Sequence, residues 1–134
     1  MKICLFGGTF NPPHIGHLLI AQTVCEEENF DKIIFIPANK PPHKKNNIAS
    51  VQHRLAMLKI AISGNPKFSI SDVEIMRGGI SYSIDTIKTI KKENNDYDLY
   101  YLIGSDSLLE FSNWRGPKEI LNNCKVLVAI RPGF

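Results

Sequence analysis

Two histidines three residues apart, His14 and His17, stand shortly after Gly7 and Gly8 in the stretch CLFGGTFNPPHIGHLL, residues 4–19. A neutral imidazole donates a hydrogen bond and a protonated one adds a positive charge. Glycines let backbone N–H groups come close to a ligand, and the start of a helix carries a partial positive charge. Gathered at one place, these groups suit a phosphate. A helix N-terminus disfavours imidazolium, so neutral donors are expected without ligand, and a bound polyphosphate favours the charged form. Other readings stand beside this one. The spacing fits two zinc ligands, but two ligands do not close a zinc site and no neighbouring Cys, Asp or Glu pattern completes one. The pair could also serve only as helix caps or core residues. The loop is neither G-x-x-x-x-G-K-[ST] nor G-x-G-x-x-G. No Ser-His-Asp or Cys-His set suggests a covalent nucleophile.

The elements that must position these groups follow from the hydrophobic period. KICLFGG (2–8) reads as a strand that stops at glycines, and KIIFIPA (32–38) as a second strand ended by Pro37. KFSISDVEI (67–75) alternates imperfectly and reads as a third strand. DLYYLIG (98–104) and KVLVAIRP (125–132) complete the set. Between them the 3.6-residue period predicts helices over 15–28, with Ile15, Leu18, Leu19 and Gln22 on one face, and over 51–63, with Ser50 as N-cap and Leu55, Leu58 and Ile62 inward. Further helices are predicted over 83–93, in SLLEFS and in PKEILNN, where Pro117 suits a first turn. The stretch 38–50 has no period and reads as a loop. Alternation of strands and helices, with apolar central strands, predicts an α/β fold: a Rossmann-like, doubly wound parallel sheet of about five strands with helices on both faces.

In such sheets a ligand sits beyond the carboxyl ends of the strands. The residues that follow the five strands are unusual ones. They are Gly7, Gly8, Thr9 and the histidines; Pro37, Lys40, His43 and Lys44; Glu74, Arg77, Gly79 and Tyr82; Gly104, Ser105 and Asp106, with Trp114 a little later; and Arg131. Loops at the opposite edge hold plain turn residues. One cationic, glycine-rich site at one edge is expected, and it suits a nucleotide. Taken singly, Asp106 reads equally well as an N-cap, and Trp114 as a core residue.

The totals agree with an ordinary globular protein. The 134 residues suit one domain, 43% of them hydrophobic and 22% charged. A net charge of +3 suits a small anion or a nucleic acid equally. Cys4, Cys25 and Cys124 are odd in number and form no C-x-x-C, which reads as reduced thiols. No apolar run approaches the roughly 18 residues of a membrane helix, and the N-terminal run is too short for a signal peptide core. A cytoplasmic location is expected.

GGTFNPPHIGH resembles the G-G-T-F-D-P-x-H-x-G-H signature of the nucleotidyltransferase superfamily, with Asn11 where Asp is common. In order along the chain, IPANKPPHK, HRLAMLKIAI, GGISYSIDTI, LIGSDSLLEFSNW and VAIRPGF are similar to segments of the bacterial nicotinate-nucleotide adenylyltransferases. The resemblance implies transfer of AMP from ATP to nicotinic acid mononucleotide, giving deamido-NAD and pyrophosphate, with Mg2+ delivered on ATP. It implies that His14, His17 and Lys44 are catalytic. It implies an ATP site at Gly7, Gly8, Thr9, Phe10, Gly104, Asp106 and Arg131, and a mononucleotide site at Tyr82, Ser83 and Trp114. The family pattern usually has an aromatic residue after the tryptophan, where Arg115 stands here, and it continues past RPG. Residues 1–134 are therefore expected to be a single nucleotidyltransferase domain short of its C-terminal end. The expected partners are the two nucleotides, without nucleic acid or membrane, and a homo-oligomer is compatible with the sequence. The alternatives are another nucleotidyltransferase of this type, such as a pantetheine-phosphate adenylyltransferase, and a non-catalytic nucleotide-binding fragment. The HIGH tetrapeptide is also found in class I aminoacyl-tRNA synthetases, but their K-M-S-K-S loop and tRNA-binding domains are not here.

Overall fold

The computed structural model describes residues 1–42 and 48–130. Strand β1 (Lys2–Gly8) leads to helix α1 (Ile15–Glu28), β2 (Lys32–Pro37), α2 (Val51–Ile62) and the short β3 (Phe68–Ile70). Then come α3 (Val73–Arg77), α4 (Ser83–Glu93), β4 (Asp98–Gly104), α5 (Ser105–Glu110), a 3-10 turn at Phe111–Asn113, α6 (Pro117–Asn123) and β5 (Lys125–Ala129). All strand pairs are parallel, in the order β3-β2-β1-β4-β5. The predicted doubly wound sheet is therefore present, and its direction of winding reverses between β1 and β4.

The central strands are buried on both sides because helices cover both. In β1, Ile3 and Leu5 face one layer and Cys4 and Phe6 the other, as the two-residue period requires. Ile3 and Leu5 pack with Ile84, Ile87 and Ile90 of α4, Tyr101 and Ile103 of β4, and Ile120 of α6. Cys4 and Phe6 pack with Ala21 and Cys25 of α1, Phe35 of β2, and Leu58 and Ile62 of α2. Each fully buried aliphatic or Phe side chain contributes about 1.5–3 kcal/mol. The cysteines are all free and buried, in line with the reading of reduced thiols.

Two local expectations fail. The third strand spans only Phe68–Ile70, and Val73–Arg77 is a helical turn instead. Glu74 rather than an alternating apolar side chain is the buried residue of that turn, and Gly78, at φ 73°, ends it. In α1, Ile15 and Leu19 are exposed at 72% and 59%, while Ala21 and Cys25 are buried, with Leu18, Ile20 and Val24 half-buried against them. The apolar stripe is thus rotated relative to the predicted one, because the helix docks through its small residues. Among the described residues no helix is long and apolar enough to cross a membrane.

Candidate active site

A cleft of about 440 Å3 opens at the carboxyl ends of the central strands. That volume lies in the range of small-molecule sites. Gly7, Gly8, Thr9 and Phe10 line it from the β1 loop, and Gly104 from the end of β4. Tyr82 and Ser83 at the head of α4, Trp114 and Arg115 after the 3-10 turn, and His17 in the first turn of α1 also line it. It sits where the winding reverses, as open α/β sheets place their ligands.

The two histidines cap the helix and also reach the site. His14 is the N-cap residue of α1, extended at φ −135° and ψ 172°, and its Nδ1 accepts from Gly16 N–H at 3.1 Å. In return His14 N–H donates to His17 Nδ1 at 3.1 Å. This is a capping box built from two imidazoles instead of the usual Ser and Glu. Both Nδ1 atoms accept, so in each neutral ring the proton is assigned to Nε2. The rings stack on each other with centroids 3.9 Å apart. Phe10 meets the His17 ring edge-on at 5.1 Å, and Phe6 does so at 6.1 Å. His17 is thus held between a stacked partner and two aromatic edges with its donor nitrogen opposite the cap. A Cβ on Gly16 would lie 2.8 Å from the His14 ring, so a side chain there would push that ring off its cap. Phe10 itself is 2% exposed and has φ 49°, a left-handed conformation that turns the loop and costs about 1–3 kcal/mol in a non-glycine residue.

The opposite wall is a buried polar network. Ser83 Oγ and Tyr101 Oη share a hydrogen bond of 2.9 Å. Thr86 Oγ1 donates to Glu74 Oε2 at 2.6 Å, and Arg77 Nη2 approaches the same hydroxyl at 3.2 Å. Asn39 N–H donates to Ser81 Oγ at 2.9 Å and Ser81 N–H to Lys40 O at 2.8 Å, which joins the loop after β2 to the one before α4. Burial pushes the Glu74 carboxyl above its ordinary value, against the lowering effect of Thr86, Arg77 and Ser81. Burial likewise pushes the Tyr101 phenol up. Trp114 meets the Tyr101 ring edge-on at 6.3 Å and is half-buried, so it is a core neighbour and a wall of the cleft together.

Arg54 of α2 holds the loops behind the site. It is 1% exposed, and its four hydrogen bonds among the described residues go to backbone carbonyls. Nη1 donates to Ala38 O at 2.7 Å and Thr9 O at 2.9 Å, Nε to Ala49 O at 3.1 Å, and Nη2 to Asn39 O at 3.4 Å. One guanidinium therefore ties together the segments that follow β1 and β2 and the one that precedes α2.

Of the sequence-predicted site residues, the structure brings Gly7, Gly8, Thr9, Phe10, His17, Tyr82, Ser83, Gly104 and Trp114 to the cleft wall. His14 stands exposed beside His17 and is not part of the wall. Lys44 and Arg131, like His43, lie outside the described residues. Asp106 belongs to α5, whose N-cap is Gly104, so Asp106 is not the cap of that helix. Of the expected cations among the described residues, Lys40 is exposed and off the wall, and Arg77 is engaged with Thr86. Sequence reasoning placed Glu74 at this edge and missed Arg54, Tyr101 and Ser81. Arg54 had a signal, since it lies four and eight residues before Leu58 and Ile62 and so shares their buried face.

A doubly wound parallel sheet with a glycine loop and a histidine-capped helix at its switch point defines an α/β nucleotide-binding protein. The family model described as Cytidylyltransferase-like matches residues 5–134. A protein of Aquifex aeolicus named "Probable nicotinate-nucleotide adenylyltransferase" is 46% identical over 130 residues, covering 97% of this chain and 77% of its own length. One of the same name from Salinibacter ruber is 42% identical, covering 99% and 69%. The solved Plasmodium falciparum nicotinic acid mononucleotide adenylyltransferase, complexed with NaAD, shares the fold with a TM-score of 0.77 at 18% identity, covering 99% of this chain and 76% of that one. The chain belongs to the cytidylyltransferase-like family, among the nicotinate-nucleotide adenylyltransferases.

Proposed function

We propose that the cleft transfers AMP from ATP to nicotinic acid mononucleotide, giving deamido-NAD and pyrophosphate, a step of NAD biosynthesis. The observation that carries this reading is His17. Its Nδ1 accepts from the helix cap, which fixes the ring in the first turn of α1, and the ring lines the cleft beside the glycine loop. The mononucleotide phosphate attacks the α-phosphorus of ATP in line. The new bond joins its oxygen to that phosphorus, and the bond to the bridging oxygen of the departing pyrophosphate breaks. An ionised phosphate needs no general base, so catalysis is positioning and charge stabilisation. His17 donates to the oxygens that gain charge, with His14 holding its ring from behind and offering a second donor at the rim. Gly7, Gly8, Thr9 and Phe10 shape the phosphate loop. Gly104 and Asp106 serve the ATP ribose, and Lys44 and Arg131 the phosphates. Trp114 stacks on the pyridine ring, and Tyr82 and Ser83 receive its carboxylate.

The described residues include no group of three or more His, Cys, Asp or Glu that could hold a metal. Mg2+ would be carried by the triphosphate and would neutralise its charge, since it prefers substrate phosphates to an all-protein cage. Incubation of the full-length protein with ATP and a panel of phosphorylated acceptors tests the reading. Deamido-NAD by mass, with one pyrophosphate per product, is expected. Turnover of phosphopantetheine instead, or ATP binding without pyrophosphate release, would overturn it.

A further inference from the structure

The described residues of the cleft wall include two carboxylates, Glu74 and Glu110, and a single side chain of permanent positive charge, Arg115. The guanidinium carbon of Arg115 lies 3.9 Å from the centroid of the Tyr82 ring. Among the described residues it forms no ion pair. Tyr82 is the N-cap residue of α4, directly before Ser83, and Trp114 is the neighbour of Arg115 in the chain. A cation is therefore parked on an aromatic face at the cleft wall, and none of the ion pairs among the described residues engages it.

We propose that Arg115 is a specificity-determining residue, which reads the carboxylate of the substrate's pyridine ring and so selects the acid over the amide. This rests on the function proposed above. A mononucleotide has two anionic groups. Its phosphate must lie beside His17 and the glycine loop, where the phosphorus is attacked, so the ring carboxylate is the group left for the Tyr82–Trp114 wall. A planar guanidinium matches a carboxylate in a two-pronged contact, whereas a carboxamide offers one neutral oxygen and no charge. Stacking on Tyr82 holds the guanidinium plane in advance and lowers the ordering cost of that contact. Glu74 does not compete for the arginine, since Thr86 and Ser81 hold its carboxyl. Arg115 is exposed, so water screens the pair and the discrimination it supplies is about tenfold, or about 1.4 kcal/mol.

The test measures kcat/KM of the full-length protein for nicotinic acid mononucleotide and for nicotinamide mononucleotide at saturating ATP, in wild type, Arg115→Gln and Arg115→Lys. Thermal melts confirm folding of each. The acid-to-amide ratio should fall about tenfold in Arg115→Gln, through KM for the acid, and Arg115→Lys should recover part of it. Raised salt should narrow the wild-type ratio and leave the Gln variant's ratio flat. An unchanged ratio, an equal loss for both substrates, or an effect confined to KM for ATP would overturn the role of Arg115 while leaving the transferase reading intact. Wild-type protein that uses neither mononucleotide would overturn both.

Discussion

Replacing Arg54 by methionine, of comparable length and without charge, should unlock the loops behind the cleft. Its three shortest bonds, to Ala38 O, Thr9 O and Ala49 O, span 2.7–3.1 Å and are charge-assisted. Bonds of that kind contribute about 1.5–3 kcal/mol each, so the low end for three is about 4.5 kcal/mol. The methionine is relieved of the guanidinium's desolvation, which offsets part of that loss and leaves about 3 kcal/mol. For a domain of this size about 4 °C accompanies each kcal/mol, so Tm should fall by about 12 °C. The assay is a thermal melt with and without ATP. Because Thr9 and Ala38 line the cleft, ATP should also protect the variant less than it protects wild type. Arg54→Lys keeps the charge but has one ammonium where the guanidinium forks between three segments, so its Tm should lie between the two. A fall of less than about 2 °C in Arg54→Met would refute the clamp, since the three carbonyls would then be satisfied without it.

Three further outcomes follow from the same geometry. His17→Ala should lower kcat at least about a hundredfold, near 3 kcal/mol, as for loss of one preorganised donor, with a small shift in Tm; near-normal kcat in a coupled pyrophosphate assay would remove His17 from the chemistry. A Cβ on Gly7 would lie 2.5 Å from Tyr101 Oη, so Gly7→Ala should cost about 1–3 kcal/mol by urea denaturation. Tyr101→Phe should restore part of that in the double variant, and strictly additive losses would show that the two do not meet. Burial holds Glu74 above its ordinary value of 4.5, so the folded protein binds that proton more tightly than the unfolded chain. Its contribution is then full below the ordinary value and drains away as pH rises through the folded one. Stability of Glu74→Gln relative to wild type should therefore rise from about pH 4 to about pH 7, and a flat difference would contradict the raised carboxyl.

The alternation of apolar strands with amphipathic helices determined the class of fold, because a strand apolar along its whole length must be covered on both faces. GGTFNPPHIGH determined one end of the cleft in the same local way: the glycines, the cap and the first helical turn are contiguous, and few chain conformations can satisfy them. α4 was legible for the same reason, its isoleucines recurring at Ile84, Ile87 and Ile90. Elsewhere the local signal was weak. Three residues of β3 carry little period, and Val73–Arg77 coils because Glu74 finds Thr86 across the fold and not because of its neighbours in sequence. The rotated stripe of α1 reflects docking through Ala21 and Cys25, which hydrophobicity alone ranks below Ile15 and Leu19. Long-range partners decided the rest. Arg54 becomes a clamp only when carbonyls from the segments around it converge, and Tyr101 touches Ser83 only when β4 lies beside α4. Arg115 likewise reaches the ring of Tyr82 across more than thirty residues of chain. Local pattern thus settled what each segment is, through burial and backbone geometry that neighbouring residues dictate. Tertiary structure settled which polar groups face one another, since a buried donor or charge is assigned by whatever acceptor the fold brings to it.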